Sequence, residues 1–429
     1  MYGFVFAILF GLMLIGIPVG FAIFATGISF IEITHVKPLL ILVTKATTGI
    51  DSFPLLAIPL FILVGNLMNS GGISRRLVKW ANQVVGRMPG GIGSVCIFAS
   101  MIFGALTGSG PATVAAIGGI TIPAMIEAGY SRGQACGIAN SAGAMGPIIP
   151  PSITMIVYAC CMGVAVTDMF VGAVAPGILI GIMMIILNTF MAKRNPEIMA
   201  HQSKEKFSWK EFGKDTIRAL GAMGLIVVIL GGIYGGIFTP TEAAAVGVLY
   251  ALVVGGLIYR ELKISALPKI LEDTLLTSAT VTFILGAANI FTWILAVTQL
   301  PAKITAVFAS FLTTQTSYLV FLTIFLLIIG ALIDTGVAVI VVAPMVVPLG
   351  IALGIDPIHL GVLFCVNLSI GYGTPPFGYN LFMAVSVGKS NFKEVAKGSL
   401  PFLAVQIVAL IILAAFPDLV TWLPRMLKG

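Results

Sequence analysis

The feature that most limits how this chain folds is a pair of interruptions, found twice in otherwise apolar sequence. The first copy runs from Gly104 to Gly163 and the second from Gly330 to Gly388. Each opens on the same three residues, Gly104-Ala105-Leu106 and Gly330-Ala331-Leu332. Each then loses its apolar run at a short polar knot, Gly108-Ser109-Gly110-Pro111 in one and Asp334-Thr335-Gly336 in the other. Further along, each breaks again at a double proline, Gly146-Pro147-Ile148-Ile149-Pro150-Pro151 and Gly371-Tyr372-Gly373-Thr374-Pro375-Pro376. After a single-residue gap, Pro123/Pro348, Ile126/Ile351, Gly129/Gly354 and Gly163/Gly388 also fall in register. Gly and Pro end or bend helices, so breaks recurring at matched positions mark an internal repeat.

Composition says what solvent those breaks sit in. Of 429 residues, 59% are hydrophobic and 9% charged, where a soluble domain has about a quarter charged. Mean hydropathy is +1.10, and apolar runs of about 20 residues recur, the length that crosses a bilayer as helix. The sequence therefore predicts an all-α polytopic membrane protein. Its net charge of +7 comes from basic residues flanking the apolar runs, not from one patch, which argues against a nucleic-acid partner. Cys96, Cys136, Cys160, Cys161 and Cys365 lie inside apolar segments, and His35, His201 and His359 are scattered. That pattern excludes a zinc site or a disulfide framework.

Residues 3–30 are apolar for too long, and lack the basic start, to be a secretory signal, so they read as a first span. Residues 36–50 carry Lys37 and Lys45 and read as a surface-lying helix. A span at 53–70 leads to a basic amphipathic arm, with Leu77, Trp80, Val84 and Val85 at helical spacing. Two apolar arms, 91–107 and 111–127, meet at the first knot; a helix at 133–162 is interrupted at Gly146–Pro151, and a span follows near 169–192. A polar stretch from Lys193 to Arg218 divides the halves. Then come spans at 219–237, 241–258 and 274–297, a second arm near 300–313, and an interrupted pair at 318–350. A broken helix at 357–387 and a last span near 400–416 complete the chain.

Simple alternation of spans puts all but five of the 23 Lys and Arg residues on one side, leaving Lys37, Lys45, Lys303, Arg425 and Lys428 opposite. By the positive-inside rule the crowded side is cytoplasmic. The ends of the second knotted pair, around Thr313–Ser317 and Gly354–Pro357, carry no Lys or Arg. The copies thus enter from opposite faces, as inverted repeats do. Charge counting does not separate two full spans from one re-entrant hairpin. The knots argue for two re-entrant helical hairpins, because a turn in water is richer in polar residues than Gly-Ser-Gly-Pro. A turn at membrane depth must pack on protein or line a cavity, and the two broken helices supply the partner.

Hairpin tips and helix breaks free carbonyls at one helix end and amides at the next start. Carbonyls with Ser or Thr hydroxyls suit a small hard cation; helix N-termini suit an anion. Four such N-termini follow Pro111, Pro151, Gly336 and Pro376, and no Lys or Arg occurs from Gly133 to Ala192 or from Ile304 to Gly388. An anion there relies on dipoles, amides and a bound cation, which points to cation-coupled uptake of an organic anion. Asp334 is either a site residue or a cap for its tip; Ser109 and Thr113 are cation ligands or bond back to their helix. Glu242, in Thr239-Pro240-Thr241-Glu242, reads as half of a capping box. Asn140, Ser141, Ser152, Thr154, Asn367, Ser369, Tyr379 and Asn380 either line the cavity or bond helix to helix.

Five stretches, FPLLAIPLFILVGNLM, GSGPAT, IIPPSI, IFTPTEAAAVGV and TPPFGYNLF, carry a resemblance that covers nearly the whole chain. In this order they resemble the large membrane subunit of TRAP (tripartite ATP-independent periplasmic) transporters. The resemblance implies sodium-driven import of a carboxylate, of sialic-acid or C4-dicarboxylate type, across a bacterial inner membrane. It implies a soluble periplasmic binding protein and a small four-helix membrane subunit, here a separate chain because this one starts directly at its first span. It also implies an elevator of the ion-transporter-superfamily type. Residues 91–192 and 314–399 would carry the hairpins and broken helices. Residues 1–90 and 219–313 would form the scaffold, 193–218 a cytoplasmic loop and 400–429 a C-terminal span. One sodium ion (Na+) would sit among Gly108, Ser109, Thr113, Gly143, Gly146 and Pro147. Another would sit among Asp334, Thr335, Gly336, Gly371, Gly373 and Thr374. The substrate would lie between the tips, near Pro111, Ala112, Ser152, Thr154, Tyr379 and Asn380.

Two other transport readings stand beside this one. A stand-alone divalent-anion/sodium symporter has Ser-Asn-Thr motifs at its tips, which this chain lacks, and a passive channel has no need of inverted broken helices. An intramembrane aspartyl protease needs two embedded carboxylates sharing a proton; Asp334 is alone in its segment, so no enzyme is expected.

Overall fold

A computed structural model describes residues 2–202, 208–300, 311–376 and 378–428, which are helical apart from short connections. Among them, nine helices are long and apolar enough to cross a membrane, or ten if one bent pair counts as a span.

The first span of the sequence reading is two helices, α1 (Tyr2–Leu14) and α2 (Val19–Thr34). Gly16 turns the chain at φ +88°, and Pro18, with no N–H to donate, caps α2. Neither piece reaches the length of a span. Next come α3 (Leu40–Ile50), α4 (Ala57–Ser70, preceded by a 3-10 turn at Phe53–Leu56) and the amphipathic α5 (Ile73–Val85). The buried face of α5 is Ile73, Leu77, Val78 and Ala81, whereas Val84 points outward and Trp80 donates its indole N–H to Thr216 (3.2 Å).

The first repeat follows. Helix α6 (Gly91–Thr107) and α7 (Gly110–Glu127) are the arms of hairpin 1. Helices α8 (Arg132–Ile148) and α9 (Ile153–Met162) are the broken helix, bent by 41°. Then come α10 (Val166–Lys193), short α11 (Pro196–Ala200), α12 (Trp209–Tyr234), α13 (Pro240–Ile258) and α14 (Leu267–Thr298). Thr239 and Glu242 form the expected capping box at the start of α13. The second arm read near 300–313 lies largely outside the described residues. Hairpin 2 is α15 (Gln315–Leu332) and α16 (Thr335–Ala352), followed by broken helix α17 (Pro357–Gly371) and α18 (Tyr379–Gly388). Helix α19 (Phe392–Ala415) is the last span, and α20 (Asp418–Lys428) is an amphipathic helix that the sequence reading missed.

Two long helices act as rulers for the inversion. At the C-terminal end of α10, Asn188 donates to the Gly90 carbonyl (2.9 Å), which also accepts from Tyr130 (2.9 Å), at the base of hairpin 1. Nearer its N-terminal end, Gly172 packs on Ile358, just past the base of hairpin 2. At 1.5 Å rise per residue those points are about 24 Å apart. Helix α19 repeats the measurement. Its start, at Glu394, lies against Gly133, and near its end the Leu413 carbonyl accepts from His359 Nε2 (2.9 Å). The hairpins are therefore rooted at opposite ends of the same bundle, as the sequence predicts.

Helices α2, α3, α4 and α13 pack on α14 or on one another, while α6–α10 and α15–α19 form a second group around the hairpins. The groups meet where α4 lies on α6 and α14 on α16, with α5 also packed on α6.

Candidate functional site

In both copies the tip is pressed onto the break through bare backbone. A Cβ added at Gly104 would stand 2.9 Å from the Cα of Gly146, and one at Gly330 would stand 3.1 Å from the Cα of Gly371. Only glycine permits that approach. These are the residues that the repeat aligns, so the two copies share their contact as well as their sequence.

Tip 1 is closed by hydroxyls. Gly108, at φ +60°, ends α6, and Ser109 caps α7, accepting from the Ala112 amide (3.5 Å). Thr113 donates to the Ser109 carbonyl (2.8 Å) and lies 3.3 Å from Thr107 Oγ1. At break 1, Ser152 donates to the Pro147 carbonyl (2.6 Å) and accepts from the Met155 amide (3.3 Å), which caps α9. Tip 2 is closed by a carboxylate. Asp334 Oδ1 accepts from the amides of Gly336 (2.8 Å) and Val337 (3.4 Å), and Oδ2 accepts from the Tyr372 hydroxyl of break 2. That hydroxyl also accepts from the Thr335 amide (3.0 Å).

The copies also cross over. Thr154, from break 1, lies 3.0 Å from the Thr335 hydroxyl of tip 2. Asn380, from break 2, faces tip 1: a Cβ on Gly110 would come within 2.6 Å of its Oδ1, and one on Gly143 within 3.1 Å of its Nδ2. Thr154 stands three residues past its double proline and Asn380 four past its own, so the two reaches come from neighbouring positions of the repeat and not from the same one.

Between the tips lies a cavity of about 620 Å³. Of the residues expected there, Gly108, Ser109, Pro111, Pro147, Thr154, Asp334, Thr335, Gly336 and Tyr379 line it. Thr113, Gly143, Gly146, Gly371 and Gly373 are buried behind them, as is the capping hydroxyl of Ser152. Thr374 bonds back to Ile370, and Ala112 is exposed away from the cavity lining. Among the residues read as lining or helix glue, Asn140 is glue, donating to Gly373 O (2.9 Å) and Ser399 Oγ (2.8 Å). Asn367 and Ser369 bond to their own helix. Both amide atoms of Asn380, Asn140 Oδ1 and Ser141 Oγ are buried with no hydrogen-bond partner among the described residues.

Three polar lining residues were not foreseen, Tyr372, Thr277 and Thr280. The signal for the threonines was a run of hydroxyls, Thr274, Thr277, Ser278, Thr280 and Thr282, within one apolar helix. One expectation also needs correction. Four helix N-termini were expected to be open to an anion, but that of α16 is already occupied by the Asp334 carboxylate.

Among the described residues no Lys, Arg or His lines the cavity, and Asp334 is the only charged one that does. Hydroxyls, carbonyls, a carboxylate and unpaired amides suit a hard cation. No cluster of three His, Cys, Asp or Glu that could hold a metal ion occurs among the described residues.

These features define a class: a polytopic helical membrane protein in which inverted hairpins and broken helices enclose one polar cavity. The family model for the tripartite ATP-independent periplasmic transporter, DctM component, matches residues 6–419. The chain belongs to that family, as a large permease subunit, and is a transporter. It is 38% identical to the C4-dicarboxylate TRAP transporter large permease protein DctM of Vibrio cholerae, over 99% of this chain and 97% of that one. It is 34% identical to the sialic acid TRAP transporter large permease protein SiaM of the same organism, over 98% and 97%. In fold it is similar to the crystal structure of the Alcanivorax borkumensis YdaH transporter, with TM-score 0.59 and 15% identity over 87% of this chain and 86% of that chain.

Proposed function

We propose that this permease imports an organic acid, of C4-dicarboxylate or sialic-acid type, by coupling it to sodium in an elevator movement. The observation that carries the reading is the make-up of the cavity among the described residues: oxygen groups from two tips and two breaks, one carboxylate and no basic side chain. An anion entering such a space meets Asp334 and no fixed positive charge, so a co-bound cation has to balance it. One sodium ion lies between Gly108–Thr113 and Gly143–Pro147, the other between Asp334–Gly336 and Gly371–Thr374. Sodium is cargo here, entering and leaving with the acid.

The grouping of helices supports the elevator. The hairpins and broken helices, with α10, α19 and α20 packed on them, move as one body past a scaffold built on α4, α13 and α14. The acid is handed over by a periplasmic binding protein, and a small four-helix subunit braces the scaffold in the bacterial inner membrane, the basic ends facing the cytoplasm.

Proteoliposomes holding this chain, its small partner and the binding protein should take up acid only under an inward sodium gradient. Equal uptake without sodium rejects the coupling. Cysteines at Ser109 and Thr335 should exchange accessibility between the two faces as sodium and acid are varied. Labelling fixed to one face rejects the elevator.

A further inference from the structure

The cavity has a fourth side that belongs to neither repeat. Leu276, Thr277, Thr280, Val281 and Ile284 of α14 line it opposite the tips, and their spacing puts them on one face of the helix. The other face is anchored: Thr274, buried, accepts from Asn66 of α4 (3.0 Å) and donates to Ile270 O (2.7 Å), with Ser278 and Leu285 buried along the same side. The wall is therefore held by the helices around α4, while the tips it faces belong to the other group.

The hydroxyls on this wall have a fixed polarity. Thr277 donates to the Asp273 carbonyl (2.8 Å) and Thr280 to the Leu276 carbonyl (2.8 Å). Each O–H is spent on its own helix, and what remains toward the cavity is lone pairs. A carboxylate offers only lone pairs in return, so it gains nothing there; an alcohol O–H is the complementary group.

We propose that Thr277 and Thr280 are specificity-determining residues that accept hydrogen bonds from hydroxyls of the transported acid, selecting a hydroxylated carboxylate over a plain one. The inference rests on the organic-acid reading above and adds the part of the substrate that the tips do not read. The carboxylate lies toward the tips and their cations, and the hydroxyl-bearing end lies against α14.

The test uses the full transporter with its binding protein in proteoliposomes, under an inward sodium gradient, with succinate, L-malate, D-gluconate and N-acetylneuraminate as probes. A hydroxylated acid should be preferred, and the double variant T277V/T280V should lower its kcat/KM by about tenfold, the worth of one or two neutral hydrogen bonds. T277S/T280S should restore it, and the sodium concentration for half-maximal uptake should stay the same. Preference for succinate overturns the proposal. So does a valine variant with normal uptake, or a loss that serine does not repair. Uptake of none of the four acids, or uptake indifferent to sodium, rejects the functional reading itself and this inference with it.

Discussion

The two hairpin tips do the same structural job with different chemistry. Each must satisfy the free amides that open a helix away from bulk water. Tip 1 uses the neutral hydroxyl of Ser109 and a seat of bare glycine backbone. Tip 2 uses the same kind of glycine seat, but its cap is the charged Asp334, tied across to Tyr372 of the facing break. Tip 1 therefore depends on close approach, whereas tip 2 adds a formal charge to the cavity and a side-chain tie between tip and break. On the proposed sodium-coupled reading, tip 2 is the stronger trap for a cation, and tip 1 is set almost wholly by geometry.

Five substitutions sharpen or break that contrast. The largest effect is expected where the copies agree. A Cβ at Gly146 would stand 2.6 Å from the Ser109 carbonyl carbon, and one at Gly371 would stand 2.6 Å from the Cα of Gly330. Gly146→Ala and Gly371→Ala should each abolish measurable sodium-driven uptake, and lower thermal stability by about 1–3 kcal/mol of overpacking. Normal uptake by either would show that the glycine seat is not needed for transport.

Asp334→Asn comes next. Asparagine caps a helix about as well as aspartate, so the melting temperature should hardly move, while the sodium concentration for half-maximal uptake should rise by at least tenfold. An unchanged sodium dependence would make tip 2 equivalent to tip 1. Tyr372→Phe should act more mildly on sodium, by severalfold, yet cost about 1–3 kcal/mol in a melting curve, because it leaves the buried Thr335 amide without its acceptor. The smallest change is expected from Ser109→Ala. It removes a neutral cap worth about 0.5–2 kcal/mol and should shift sodium dependence less than Asp334→Asn does. The reverse order would overturn the comparison.

The difference between the tips could be read in the sequence, because Gly, Pro and Asp act locally and punctuate apolar runs wherever they fall. The hairpins, both breaks, the inverted roots and the Thr239–Glu242 cap all follow from such punctuation. What could not be read depends on packing at a distance. Gly16 and Pro18 sit inside a continuous apolar run, and hydropathy does not register the bend that divides α1 from α2. Helix α20 escaped because it has a polar face and contains Pro424, which reads as a breaker. Tyr372 was passed over among its glycines, since nothing local says that its hydroxyl meets a carboxylate 38 positions away. Nor does any local rule bring Thr277 and Thr280 opposite the tips: their helix lies outside both repeats, and only the assembled bundle places it.

The roots of the hairpins near opposite ends of α10 and α19 have a mechanical consequence. A rod moored to one hairpin near its top and to the other near its bottom can slide lengthwise and carry both along without changing the gap between them. Tilting that rod instead swings its moorings in opposite directions and shears the gap apart. On the proposed elevator reading, travel of the whole group as one body keeps the pocket whole, whereas a tilt of α10 or α19 against the hairpins would spill what it holds.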